Sequence, residues 1–120
     1  MKTLIASAEN LFDTSYIEMM CRGKQEAILQ IHQLFFELVP EVTQKMETGL
    51  STGNQLLIEQ AAHHIKPVAM NYAIPGVGER IDEIEILARA KADVAMLEPL
   101  VHDLTDTLQT VASQLAESIQ

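Results

Sequence analysis

Four histidines, one cysteine and one Gly-x-Gly are the residues able to do chemistry in this 120-residue chain. A free imidazole titrates near about 6.5, so at neutral pH it is largely an uncharged nucleophile or metal ligand. Which of the four is placed to act depends on helix phase, at about 100° per residue. His63 lies almost opposite the apolar stripe of its helix and points to solvent. Glu59 four residues before it, Lys66 three after and Pro67 four after are its neighbours on that surface. Leu56 and Met70, seven residues to either side, lie on the same outward stripe. Two large apolar side chains therefore rim an exposed imidazole with an ammonium beside it. A rim of this kind suits docking, because covering it drives association, and a nearby ammonium can stabilise a phosphoryl group on the ring. The plainer reading is a solvated histidine on a charged face.

The other candidates are weaker. His64 falls at the flank of the apolar arc and reads as a boundary residue, as does His32 beside the stripe of the preceding helix. His102 points outward with Glu98 four residues before it, but Asp103, Thr105 and Asp106 surround it and no cation is near to help hold an anion. Cys21, next to Met19 and Met20, reads as a packing residue. Gly76-Val77-Gly78 has no strand before it and is expected to be a loop, not a phosphate cradle. Glu59 with His63 and Glu98 with His102 each share a helix face, yet both pairs point away from the core. The Glu-x-x-His spacing of di-iron bundles is absent, and structural zinc would call for several cysteines. No metal site is expected.

These residues must be positioned by helices, since no stretch alternates long enough to form a strand. Asp13-Thr14-Ser15 offers capping residues for a short helix ending near Cys21, with Gly23 as its stop. From Lys24 to about Thr48, Ile28, Ile31, Phe35, Leu38, Val42 and Met46 make one apolar stripe, with a kink expected near Phe36 because Pro40 lies inside. Gly49 and Ser51-Thr52-Gly53-Asn54 predict a turn. A third helix is expected from about Asn54 to Ala73 on Ile58, Ala61, Ala62, Ile65, Val68, Ala69 and Tyr72. A loop at Pro75-Gly76-Val77-Gly78 leads to a fourth from about Glu79 to Ala90 on Ile81, Ile84 and Leu87. Asp93 caps a last helix with Leu97, Leu100, Leu104, Leu108, Val111, Leu115 and Ile119 inward, and Pro99 either opens it or kinks its first turns. Short connections make successive helices antiparallel neighbours. The expected fold is all-α, one domain over residues 1–120: an antiparallel up-and-down four-helix bundle with a short extra N-terminal helix.

Composition narrows function. Seventeen acidic against eight basic residues give a formal charge of −9, which argues against nucleic acid and against an anionic membrane surface. A single cysteine cannot form an internal disulfide, so a reducing cytoplasm is the expected compartment. The opening residues 1–8 are too short for a signal-peptide core, and no run of eighteen apolar residues is present.

The pentapeptide Ala62-His63-His64-Ile65-Lys66 resembles the Ala-His-x-Leu-Lys-Gly signature of histidine-containing phosphotransfer (HPt) domains. Phe12-Asp13-Thr14-Ser15-Tyr16-Ile17 is similar to that family's lead-in to its first helix, as are the long helix with Phe35-Phe36-Glu37-Leu38-Val39-Pro40 and the turn before the motif. The likeness runs from about residue 11 to the end. It implies that His63 accepts a phosphoryl group from a receiver-domain aspartate and passes it to another response-regulator receiver. Lys66 would steady the phosphoryl oxygens, and Leu56, Glu59, Gln60, Pro67 and Met70 would form the docking face. The chain would have no kinase activity and no cofactor of its own, the receiver supplying Mg²⁺. Its partners would be receiver domains and a hybrid sensor histidine kinase, and it would be a monomer. One position departs from the pattern: Pro67 stands where the family usually has a glycine that leaves room for the receiver. With no N–H to bond the His63 carbonyl, Pro67 predicts a bend centred on His63 and keeps open an alternative, an HPt-like module that docks or sequesters a receiver without being phosphorylated. A metal-binding bundle enzyme is a third reading, but the inward faces are apolar.

Overall fold

The computed structural model describes residues 11–119; residues 1–8, discussed above as too short for a signal, lie outside them. Among the described residues five helices follow in order: α1 (Ser15–Met20), α2 (Gln25–Thr52), α3 (Gln55–Met70), α4 (Val77–Arg89) and α5 (Val94–Ser118). The described residues include no strand. Each long helix packs against the next, and α5 returns to α2, which closes a four-helix bundle with α1 added against α2. Ile28, Phe35, Leu38, Val42, Met46, Ile58, Ala61, Ala62, Ile65, Ala69, Ile81, Ile84, Leu97, Leu104, Leu108, Val111 and Leu115 are all buried, as their spacing requires. No helix among the described residues is long and apolar enough to cross a membrane.

The helix ends differ from expectation for physical reasons. α2 does not stop before Gly49 but runs through it to Thr52. Gly49 is a contact residue, not a turn residue. A Cβ there would lie 2.6 Å from Ile58 Cγ1 and 3.0 Å from the Asn54 carbonyl oxygen, so its bare backbone is what lets α2 and α3 approach. The chain turns instead at Gly53, whose φ of +68° suits glycine and whose N–H bonds the Gly49 carbonyl. Asn54 then caps α3, its side-chain oxygen accepting from the Leu57 N–H at 3.2 Å.

α3 ends at Met70, earlier than expected, so Tyr72 is not helical; it folds inward and is fully buried. Pro67 removes one bond, to the His63 carbonyl, but does not break the helix, and Pro40 likewise sits within a continuous α2. Val77 and Gly78 belong to α4, not to the loop, because Gly76 (φ +72°) already turns the chain. Pro99 lies inside α5, in its second turn. At the far end Ile119 is exposed where an inward position was expected, because the helix has ended before it. Val101 and Thr105 are buried in addition to the residues anticipated, while Leu100 is only partly buried.

Within the connection between α3 and α4, Tyr72 organises a buried cluster. Its ring lies 4.4 Å from that of Phe35 and meets Phe12 edge-on at 6.5 Å. Its carbonyl accepts from the Asp13 N–H at 2.8 Å, which ties the segment before α1 to the end of α3. His32, expected at the boundary, is 3% exposed and belongs to this cluster. Its Nδ1 lies 2.8 Å from the Tyr72 hydroxyl. The phenol draws the imidazole inward because the pair satisfies both polar groups, which no reading of α2 by itself reveals.

Candidate functional site

His63 projects from the middle of α3 with 76% of its side chain exposed. Its flank is α4, packed alongside. His63 Nδ1 is 3.0 Å from Glu85 Oε2. A carboxylate can only accept, so Nδ1 carries the proton and the neutral ring keeps its lone pair on Nε2. Glu85 is itself held: its side chain is only 13% exposed, and Arg89 Nη2 donates to the same oxygen at 3.1 Å. Arg89 Nε donates to Glu59 Oε2 at 2.8 Å, carrying the chain of contacts back to α3 one turn before His63. Glu59 chiefly, with Glu85 added, favours the charged form of Arg89.

On the other side, Lys66 Nζ donates to Asp82 Oδ1 at 2.5 Å, and that bond raises the lysine's pKa above its ordinary value. The ammonium expected to serve His63 thus has a carboxylate partner in this structure. Leu56, Gln60, Pro67 and Met70 are exposed around the imidazole, and Glu59 is partly covered. Leu56, Glu59, Gln60, His63, Glu85 and Arg89 line one shallow groove of about 420 Å³ between the two helices. Met70 leans over the first turn of α4, its sulfur 3.1 Å from where a Cβ on Gly78 would stand.

Asp82, Glu85 and Arg89 are absent from any reading of the α3 motif. Their signal was present in α4: spaced by three and four, they form one charged stripe beside the apolar row Ile81, Ile84 and Ala88. Within α4 alone such a stripe is an ordinary solvated helix face. Only the packing of α4 on α3 turns it toward His63.

The other histidines are placed differently. His64 is exposed, not at a boundary. His102 is half-buried, with Nε2 3.2 Å from Glu47 Oε2 across to α2. Cys21 is partly buried against the core. No group of three or more His, Cys, Asp and Glu side chains among the described residues is arranged to hold a metal ion.

The fold has a structural counterpart. A crystal structure of the HPt domain of a sensor hybrid histidine kinase from Shewanella superposes with a TM-score of 0.77, over 91% of this chain and 93% of that one, at 20% sequence identity. The chain has the fold of an HPt domain. No family model matches the sequence, and no curated protein does. The superposition takes in most of the short helix and four-helix bundle described above, and in this chain Ala62 to Lys66 lie on the second long helix.

Proposed function

We propose that this HPt-fold chain is a phosphorelay carrier in which His63 accepts a phosphoryl group from the aspartyl phosphate of a receiver domain and passes it to another receiver. The observation that carries the reading is the exposed His63 imidazole with Nδ1 bonded to Glu85, which leaves Nε2 as the nucleophilic atom. In the forward step the Nε2 lone pair attacks phosphorus, the acyl O–P bond breaks and the aspartate leaves as a carboxylate. The ring then carries N–P on one side and Nδ1–H on the other, and the positive charge it gains lies against Glu85. Passing the group on reverses these bonds at a second receiver. Positioning and charge stabilisation are most of what such a transfer needs. The receiver would bring Mg²⁺, and the carrier would bring the oriented imidazole and its docking face of Leu56, Glu59, Gln60, Pro67 and Met70.

The experiment is transfer from a panel of phosphorylated receivers to the wild type and to His63→Gln, His64→Gln and His102→Gln. Acid-labile label that disappears only with His63→Gln is the expected result. Pro67 at the docking face supports the second reading, a module that binds receivers without accepting the group. Measurable binding with no label on any protein would establish that reading instead, and loss with His64→Gln alone would move the active residue.

A further inference from the structure

Acceptance of a phosphoryl group adds one negative charge to a face that already holds three carboxylates, Glu59, Asp82 and Glu85, and two cations, Lys66 and Arg89. Both cations are engaged, but not equally. Arg89 bridges two carboxylates, and Glu85 beneath it is largely covered; pulling Arg89 away would leave a carboxylate uncompensated in a poorly solvated position. Lys66 has one partner, Asp82, whose side chain is 50% exposed. If that pair opens, the released carboxylate is met by water and loses little. Lys66 is also three residues from His63 on the same helix face, within reach of a group on Nε2. Of the two cations, Lys66 is the one able to exchange partners.

We propose that Asp82 is a built-in competitor for the phosphoryl group: it holds Lys66 in the resting protein, so that loading His63 requires the Lys66–Asp82 pair to open and Lys66 to move to the phosphoryl oxygens. The inference rests on the carrier reading and deepens it. Its consequence is a site that accepts the group readily enough to relay it but holds it less firmly than a free lysine would. The competitor comes from α4, so the strength of that hold is set outside the histidine motif.

The test uses phosphoramidate, a small donor needing no receiver. His63 Nε2 attacks phosphorus, the P–N bond breaks and ammonia leaves. The rate of His63 labelling is followed by mass spectrometry and ³¹P NMR in the wild type, Asp82→Asn, Lys66→Gln, the double variant, and Glu83→Gln. The last removes the same charge from an exposed neighbour bonded to neither cation. Asp82→Asn is expected to label about two- to fivefold faster than wild type, the range an exposed ion pair supports. The gain should vanish in the Lys66→Gln background, and Glu83→Gln should follow the wild type. Equal rates for Asp82→Asn and wild type overturn the competitor, and so does a gain that persists without Lys66, since bulk charge would then account for it. If His63 stays unlabelled in every protein while free imidazole is phosphorylated alongside, the carrier reading itself falls and takes the competitor with it.

Discussion

His63 and His32 lie on adjacent helices and both engage Nδ1, yet they are opposite devices. His63 meets a carboxylate at the surface, where its Nδ1 is held by Glu85 and most of the ring faces water. His32 meets a phenol inside the protein, where burial pushes its pKa below the ordinary value of 6.5, with Glu18 pulling weakly the other way. One ring is held so that its free nitrogen stays open to solvent. The other is held so that the end of α3, the segment before α1 and the body of α2 stay together. What separates them is the partner that the tertiary fold delivers, more than the residue type or its position in a helix pattern.

The sharpest way to break this contrast is to exchange the losses. His63→Gln should abolish phosphoryl uptake and leave stability within about 0.5 kcal/mol of wild type, as for other exposed substitutions. His32→Gln should keep uptake, and chemical denaturation beside the labelling assay reads both. Next in size, Tyr72→Ala removes the ring packed on Phe35 and Phe12 and should cost about 3–5 kcal/mol by urea unfolding. A cost as small as that of His63→Gln would mean that the cluster is not the buried anchor described. Gly49→Ala forces a methyl group against Ile58 and the Asn54 carbonyl and should cost about 1–3 kcal/mol.

The smallest effect is a dependence on pH. With His32 lowered in the folded state, both states hold it neutral above pH 6.5 and its contribution is constant there. As pH falls below 6.5 the unfolded chain takes the proton first, so stability declines until the folded ring titrates as well. Urea midpoints at pH 7.5 and 5.5 should differ less in His32→Gln than in wild type. An identical difference would assign the decline to other groups.

Much of the bundle could be read from periodicity, because Phe35, Val42, Ile58, Ile65, Ile84 and Leu104 sit where a 3.6-residue repeat buries them. The misreadings share one cause. Glycine reads as punctuation at Gly49 and Gly78, whereas both are helical and Gly49 is small because another helix presses on it. Tyr72 is expected to extend α3, but the helix ends at Met70, and the ring packs on Phe35 and Phe12 with the buried His32 bonded to its hydroxyl. At the candidate site, the exposure of His63, Leu56 and Met70 followed from helix phase, while Glu85, Arg89 and Asp82 did not. They sit 16 to 30 residues in sequence from their α3 partners, and no local pattern encodes that pairing.

The contact at Gly49 also sets a mechanical tolerance for the imidazole. Ile58, which it touches, is five residues before His63 on the same helix, roughly 7.5 Å along the axis at 1.5 Å per residue. Over so short a span a helix behaves as a stiff rod. Any shim inserted where α2 and α3 meet would be transmitted to His63 as a displacement or tilt of similar size, while Glu85 stays with α4. A 3.0 Å hydrogen bond does not survive a movement of an ångström. The alignment of the exposed imidazole is therefore gauged by a hydrogen atom on a buried glycine, a turn and a half away along the helix.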